Sequence, residues 1–347
     1  MSAALRWAGV TALVATAAGC RGDPTPTGTL LVTSGFTDQV FVLDAATGAV
    51  VDSVWLDRRP GERDEPHGIA ASPDGQHWYA TVAHGQPTLW KFETAGHRLV
   101  GRLDLPLRGA GRVRISPDGA TAAVTDYWRD GAGAVSEVAL VGTRDLGVRV
   151  VAEVCPAPHD AVFSPDGREL AVTCARGHEV VVVDATTLAV RDRFAVSDDH
   201  TAHPMNASWS ADGASIYASL MGRDEVVRIT RADGRITRLA VGGSPAQVEL
   251  AGPTLVVAER SAATATLLDP ATERGFSVGS PGPHPHGVAI SGDGRTAFVT
   301  YEGDVGTAGG VWAVDVASAR LLWHTPVGVY TLGAAWLPAA PPEPDRP

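Results

Sequence analysis

Positive charge is scarce in this sequence: 28 Lys and Arg stand against 39 Asp and Glu, for a formal net charge of −11. A surface of that sign repels a phosphate backbone, and no basic run or basic-and-aromatic strand offsets it. Nucleic acid is therefore excluded as the main partner. Several catalytic signatures are missing as well. There is no Gly-x-Ser-x-Gly elbow, no phosphate-cradling Walker loop, no His-Glu-x-x-His helix and no Cys-x-x-Cys-His haem attachment. The apolar run from Trp7 to Ala18 is too short to span a membrane.

What the chain has in quantity is turn and strand: 39 Gly, 24 Pro and 44% hydrophobic residues in 347 positions. One short strand recurs seven times, as Leu31-Val32-Thr33-Ser34, Tyr79-Ala80-Thr81-Val82, Ala123-Val124-Thr125-Asp126, Ala171-Val172-Thr173-Cys174, Tyr217-Ala218-Ser219-Leu220, Val256-Val257-Ala258-Glu259 and Phe298-Val299-Thr300-Tyr301. Seven residues before most copies a turn begins. It reads Ser-Pro-Asp-Gly at Ser72, Ser116 and Ser164, and loses only its proline at Ser210 and Ser291. Proline presets the first turn position, Asp bonds back to the backbone and Gly accepts positive φ. Behind each copy comes a further strand, as in Phe41-Val42-Leu43-Asp44 or Trp312-Ala313-Val314-Asp315. A period near four dozen residues made of strands and turns predicts blades around an axis. The expectation is all-β: a seven-bladed β-propeller of four-stranded blades over 29–337, as a single domain. Its first unit lacks an inner strand. The apolar segment Tyr330 to Leu337 is expected to supply it, closing the ring and removing the open edges.

The turn and the Tyr-Val-Thr-Asn-like strand together resemble the YVTN-repeat propellers, including YncE-like periplasmic proteins, over about Thr29 to Leu337. None of the seven copies has Asn in the fourth position. The resemblance implies a seven-bladed ring and a binding or surface protein; more distant seven-bladed relatives include lactonases and the copper-bearing propeller of nitrous oxide reductase.

The N-terminus reads as a targeting segment. Residues 1–20 end in Ala17-Ala18-Gly19-Cys20, which resembles a bacterial lipoprotein processing site with lipidation on Cys20. Arg21 to Gly28 reads as a flexible tether and Pro338 to Pro347 as a disordered tail. The expected place is the bacterial cell envelope, on the periplasmic face of a membrane or the cell surface. There a monomer would touch the membrane through its lipid anchor alone. In an oxidising compartment Cys155 and Cys174 are open to three states: a disulfide, two buried thiols, or a Cys–His metal pair with His159.

Histidine carries the chemistry the sequence suggests. Five positions before the turn the aligned residues are His67, Gly111, His159, Met205, Ser244 and His286, with proline before each histidine. Inner strands run beside the axis, so equivalent slots converge, and His67, His159 and His286 are expected at one mouth of the channel. Such a cluster suits zinc or copper, or an anionic ligand. It equally suits plain structural filling, each ring bonded to the next blade. Arg112, Asp126, His203, Glu259 and Tyr301 are the other candidate ligand residues near that mouth. The leading functional expectation is a binding module for a small molecule or an envelope protein. The alternatives are a His-cluster metal oxidoreductase and a lactonase-like hydrolase.

Overall fold

The computed structural model describes residues 25–127, 134–303 and 306–339. The expected signal segment with Cys20, half of the expected tether and most of the expected tail lie outside the described residues. Within them the chain forms seven four-stranded antiparallel sheets, and the only helix is one 3-10 turn at Ala95–His97. Each sheet is one blade. Blade 1 takes its inner strand from the C-terminal end: Thr331–Leu337 pairs with Thr29–Ser34, Leu30 opposite Trp336. The ring closes as the sequence predicts.

The alternation of each second strand explains where the core lies. Successive side chains point to opposite faces, and here both faces are covered by a neighbouring blade. Val172 packs in the apolar cluster shared by blades 3 and 4, while the adjacent Ala171 packs in the cluster shared by blades 4 and 5. Seven such clusters fill the seven blade interfaces. Most described tryptophans share in this packing, Trp78 and Trp312 being fully buried, but Trp55 on the outer strand of blade 1 is 62% exposed.

The third residue of the repeated strand fastens one blade to the next. The Thr81 hydroxyl accepts from the Gly68 amide of its own blade (2.9 Å) and donates to the Gly111 carbonyl of the next (2.6 Å). Thr33, Thr125, Thr173 and Ser219 do the same, donating to the His67, His159, Met205 and Ala246 carbonyls, and Thr300 donates to that of Leu332. Blade 6 has Ala258 there and no hydroxyl. An amide side chain replaces it: Gln247 accepts from the Val288 amide of blade 7 at 3.0 Å, and Asn206 of blade 5 likewise accepts from the Val248 amide of blade 6 at 3.0 Å, beside the Ser219 bond.

In blades 1, 3, 4 and 6 the fourth residue holds the crossover that leads into its own blade, by different chemistry in each. Ser34 donates to the Val329 carbonyl, Asp126 accepts from the Gly109 amide (2.9 Å) and Glu259 from the Gly242 amide (2.6 Å). In blade 4 the same position is Cys174, joined by a disulfide to Cys155 on the last strand of blade 3, with Cα atoms 5.7 Å apart. The bond therefore staples two blades, and the thiol and Cys–His alternatives fall away.

Candidate functional site

Pairing registers identify the residues that face one another around the axis. The slot holding His67, His159 and His286 also holds Gly111, Met205, Ala246 and, from the closing strand, Leu332. Blade 6 thus contributes Ala246, not Ser244. Its inner strand continues to Ala251 and turns at Gly252-Pro253, two residues later than the other blades, so counting back from Glu249 overshoots. The three histidines do converge. The His67 ring lies 6.1 Å from His159 and 6.3 Å from His286, edge to face.

Two of the three rings are held by the neighbouring blade. His159 Nδ1 is 2.5 Å from the Met205 carbonyl and His286 Nδ1 is 3.3 Å from that of Leu332. A carbonyl only accepts, so Nδ1 carries the proton and Nε2 is left as the acceptor of each neutral ring. Burial and the Arg112 cation keep all three neutral. Burial foremost pushes His67 down to about 3 and His159 to about 4, and it holds His286 well below 6.5. Burial likewise lowers Arg112 to about 10, which leaves it charged at neutral pH.

Two polar atoms here are buried without a partner: His67 Nε2 and Arg112 Nε. His67 lines a small cavity of about 60 Å³ together with Glu65, Ala110, Gly111, Tyr127 and Tyr330. Gly111 suits this wall because a Cβ there would come within 2.8 Å of the Thr125 hydroxyl and 3.0 Å of Tyr127 Cβ. Around the rim Glu65 pairs with His84 (2.9 Å) and Arg260 with Glu302. Among the described residues no group of three or more His, Cys, Asp or Glu is arranged to hold a metal ion. The Arg112 charge, acting on all three rings, also opposes a dication among them.

Not every candidate faces the mouth. Asp126 and Glu259 are fully buried and hold crossover amides; burial raises Asp126 to about 6. Tyr301 packs in the interface of blades 6 and 7 and reaches His324 Nε2 at 3.2 Å. The reason is strand alternation: the fourth residue points opposite to the third, which faces the next blade. His203 stands on the rim, Nδ1 on the Ala175 carbonyl at 2.9 Å, outside the central cluster.

One step further along the axis lies a polar network that motif reading missed. Arg114 makes a bidentate pair with Asp160 (3.0 and 2.7 Å) and reaches Glu249 of blade 6 at 2.7 Å. Asn206 donates to Asp160 (2.5 Å) and Gln247 to Glu249 (3.0 Å). Blades 3 and 6 stand across the ring from one another, so the Arg114–Glu249 bridge crosses the channel. Beyond it, towards the Ser-Pro-Asp-Gly turns, is a larger cavity of about 370 Å³ with Ile69, Phe163, Ile290 and Trp336 in its wall. The signal available in the sequence was Asp160, Asn206 and Gln247, polar residues in one slot of three successive blades.

No protein-family model matches the chain. It is 28% identical over 172 residues to the uncharacterized protein YncE of Salmonella typhimurium, a match covering 47% of this chain and 46% of that protein. The alignment thus spans about half the length of that curated relative. Among solved structures it superposes on the periplasmic gluconolactonase PpgL of Pseudomonas aeruginosa with a TM-score of 0.71 at 18% identity, covering 90% of this chain and 99% of that one. A putative 6-phosphogluconolactonase of Bacteroides fragilis gives 0.66 at 14%, covering 91% and 99%. At these identities the superpositions speak for the fold alone. The chain is a seven-bladed β-propeller similar to YncE.

Proposed function

We propose that the protein is a receptor for a small hydroxylated acid, taken up acid end first at the histidine-lined mouth. The observation that carries this reading is the buried, unpartnered His67 Nε2 in the wall of one small cavity, with the buried Arg112, whose Nε is likewise unpartnered, acting electrostatically on the same ring. Buried polar atoms are almost always paired, so an orphaned ring nitrogen in a cavity wall favours a ligand that completes it. The Arg112 guanidinium suits a carboxylate, and the imidazole acceptors suit hydroxyl donors on the same molecule. A cavity of about 60 Å³ admits only the polar tip, the rest lying against Tyr127 and Tyr330.

Lactone hydrolysis is the second reading, supported by the lactonases among the structural neighbours. Arg112 would stabilise the oxyanion, and a neutral imidazole would take the proton from water. Against it, imidazoles pushed to about 3 and 4 are weak bases at neutral pH. Export and lipidation at Cys20 belong to the same proposal, and the Cys155–Cys174 disulfide supports an oxidising compartment.

The test is calorimetric titration of the propeller with D-gluconate, D-glucono-1,5-lactone and D-glucose, with lactone consumption followed in parallel. Gluconate binding that is lost in Arg112→Met and weakened in His67→Ala is expected. Absence of binding to either gluconate or lactone would reject the receptor, and catalytic lactone loss that depends on His67 would replace it with the hydrolase.

A further inference from the structure

A second cluster of imidazoles lies apart from the central three. His178 stands in the loop after the second strand of blade 4, and His200 in the crossover from blade 4 to blade 5. Their Nδ1 atoms are 3.3 Å apart and the ring centroids 4.8 Å, with the planes at 68°. Between two neutral rings that is a long N–H···N contact. It is also the separation two imidazole nitrogens take on one metal: two bonds of about 2.05 Å at the tetrahedral angle put the nitrogens about 3.3 Å apart. We infer that His178 and His200 form a two-nitrogen site for a borderline d-block dication, copper(II) or zinc(II), on the rim of the propeller.

The backbone on both sides is fixed before any metal arrives. The His178 carbonyl accepts from the Val196 amide at 2.8 Å. Next to His200, Asp199 accepts from the Thr201 amide (2.9 Å) and hydroxyl (2.6 Å) and pairs with Arg223 at 2.5 Å. Ring nitrogens on a fixed backbone lose little freedom on coordination. The remaining positions are open to water, since no third His, Cys, Asp or Glu completes the set among the described residues. The exposed Asp198, two residues before His200, adds negative charge nearby. Nitrogen donors rank copper(II) above zinc(II).

The experiment is titration of the purified propeller, in a non-chelating buffer at neutral pH, with copper(II) chloride and zinc(II) chloride. Copper spectra are recorded by electron paramagnetic resonance. One dication per chain is expected, copper bound more tightly than zinc, with hyperfine structure from two nitrogens. His178→Ala and His200→Ala should each weaken uptake at least tenfold while the melting temperature of the metal-free protein holds. The His67→Ala/His159→Ala variant should keep full uptake. The inference fails if neither metal binds, if both rim variants bind normally, or if uptake is lost in the central variant instead.

Discussion

Thr125 Oγ1 lies 3.1 Å from the Arg112 amide nitrogen and 3.1 Å from the His159 carbonyl oxygen. One hydroxyl therefore ties the blade that carries the guanidinium to the blade that carries an imidazole of the same mouth. Thr125→Val keeps the shape and removes both bonds, leaving a buried donor and a buried acceptor unpaired at about 1–3 kcal/mol each. The variant should show a lower urea midpoint with an unchanged slope, and weaker gluconate binding. An unshifted midpoint would mean that this hydroxyl does not stabilise the ring.

The neutral histidines make stability depend on pH. The unfolded chain titrates near 6.5, whereas burial holds His67 at about 3 and His159 at about 4. Between roughly pH 4 and 6.5 the unfolded state binds more protons, so stability falls as pH drops, by about 1.4 kcal/mol per pH unit for each such histidine. Asp160 extends the loss further: held at about 2 chiefly by Arg114, against its ordinary 3.8, it stabilises above that range and stops doing so as pH approaches 2. Urea unfolding at pH 7, 6 and 5 should show a steep decline that flattens in a His67→Gln/His159→Gln variant. An equal slope in both proteins would contradict the assignment.

Arg114 neutralises Asp160, whose side chain is fully buried, and Glu249, whose side chain is 17% exposed. Arg114→Met leaves a buried carboxylate uncompensated and should cost about 3–5 kcal/mol. Adding Asp160→Asn removes that charge and should recover part of the loss, a coupling that a double-mutant cycle measures. Strict additivity would show that the bridge contributes no coupling.

Reducing the disulfide frees a loop with a sequence separation of 19, for which chain entropy gives about 3 kcal/mol. Dithiothreitol, or Cys155→Ser with Cys174→Ser, should lower the melting temperature by several degrees. The anion site should be untouched, since Cys174 faces the crossover rather than the axis.

The fold was legible because the turn and the strand repeat together, and each repeats for a physical reason. Ser72 Oγ accepts from the His77 amide and donates to Asp74, and Gly75 takes φ of +68°, so few other residues serve there. The convergence of His67, His159 and His286 followed from phase alone. Phase failed where the turn degenerated, assigning Ser244 to the slot of Ala246. It was also blind to direction. Asp126, Glu259 and Tyr301 share one repeat position and are all turned towards their own crossovers, because alternation reverses after the threonine. Arg114, Asp160 and Gln247 stayed hidden because their partners are other blades, at sequence separations of 46 for Arg114–Asp160 and 135 for Arg114–Glu249.

Pairing of Thr331–Leu337 with Thr29–Ser34 places the two described ends of the chain in one sheet. A propeller made N-terminus first thus carries its opening three strands as an unlatched flap until the last strand is made. The bare edge of Thr29–Ser34 on that flap is covered only when the last strand slots in. The register that sets Leu30 opposite Trp336 is what latches the ring.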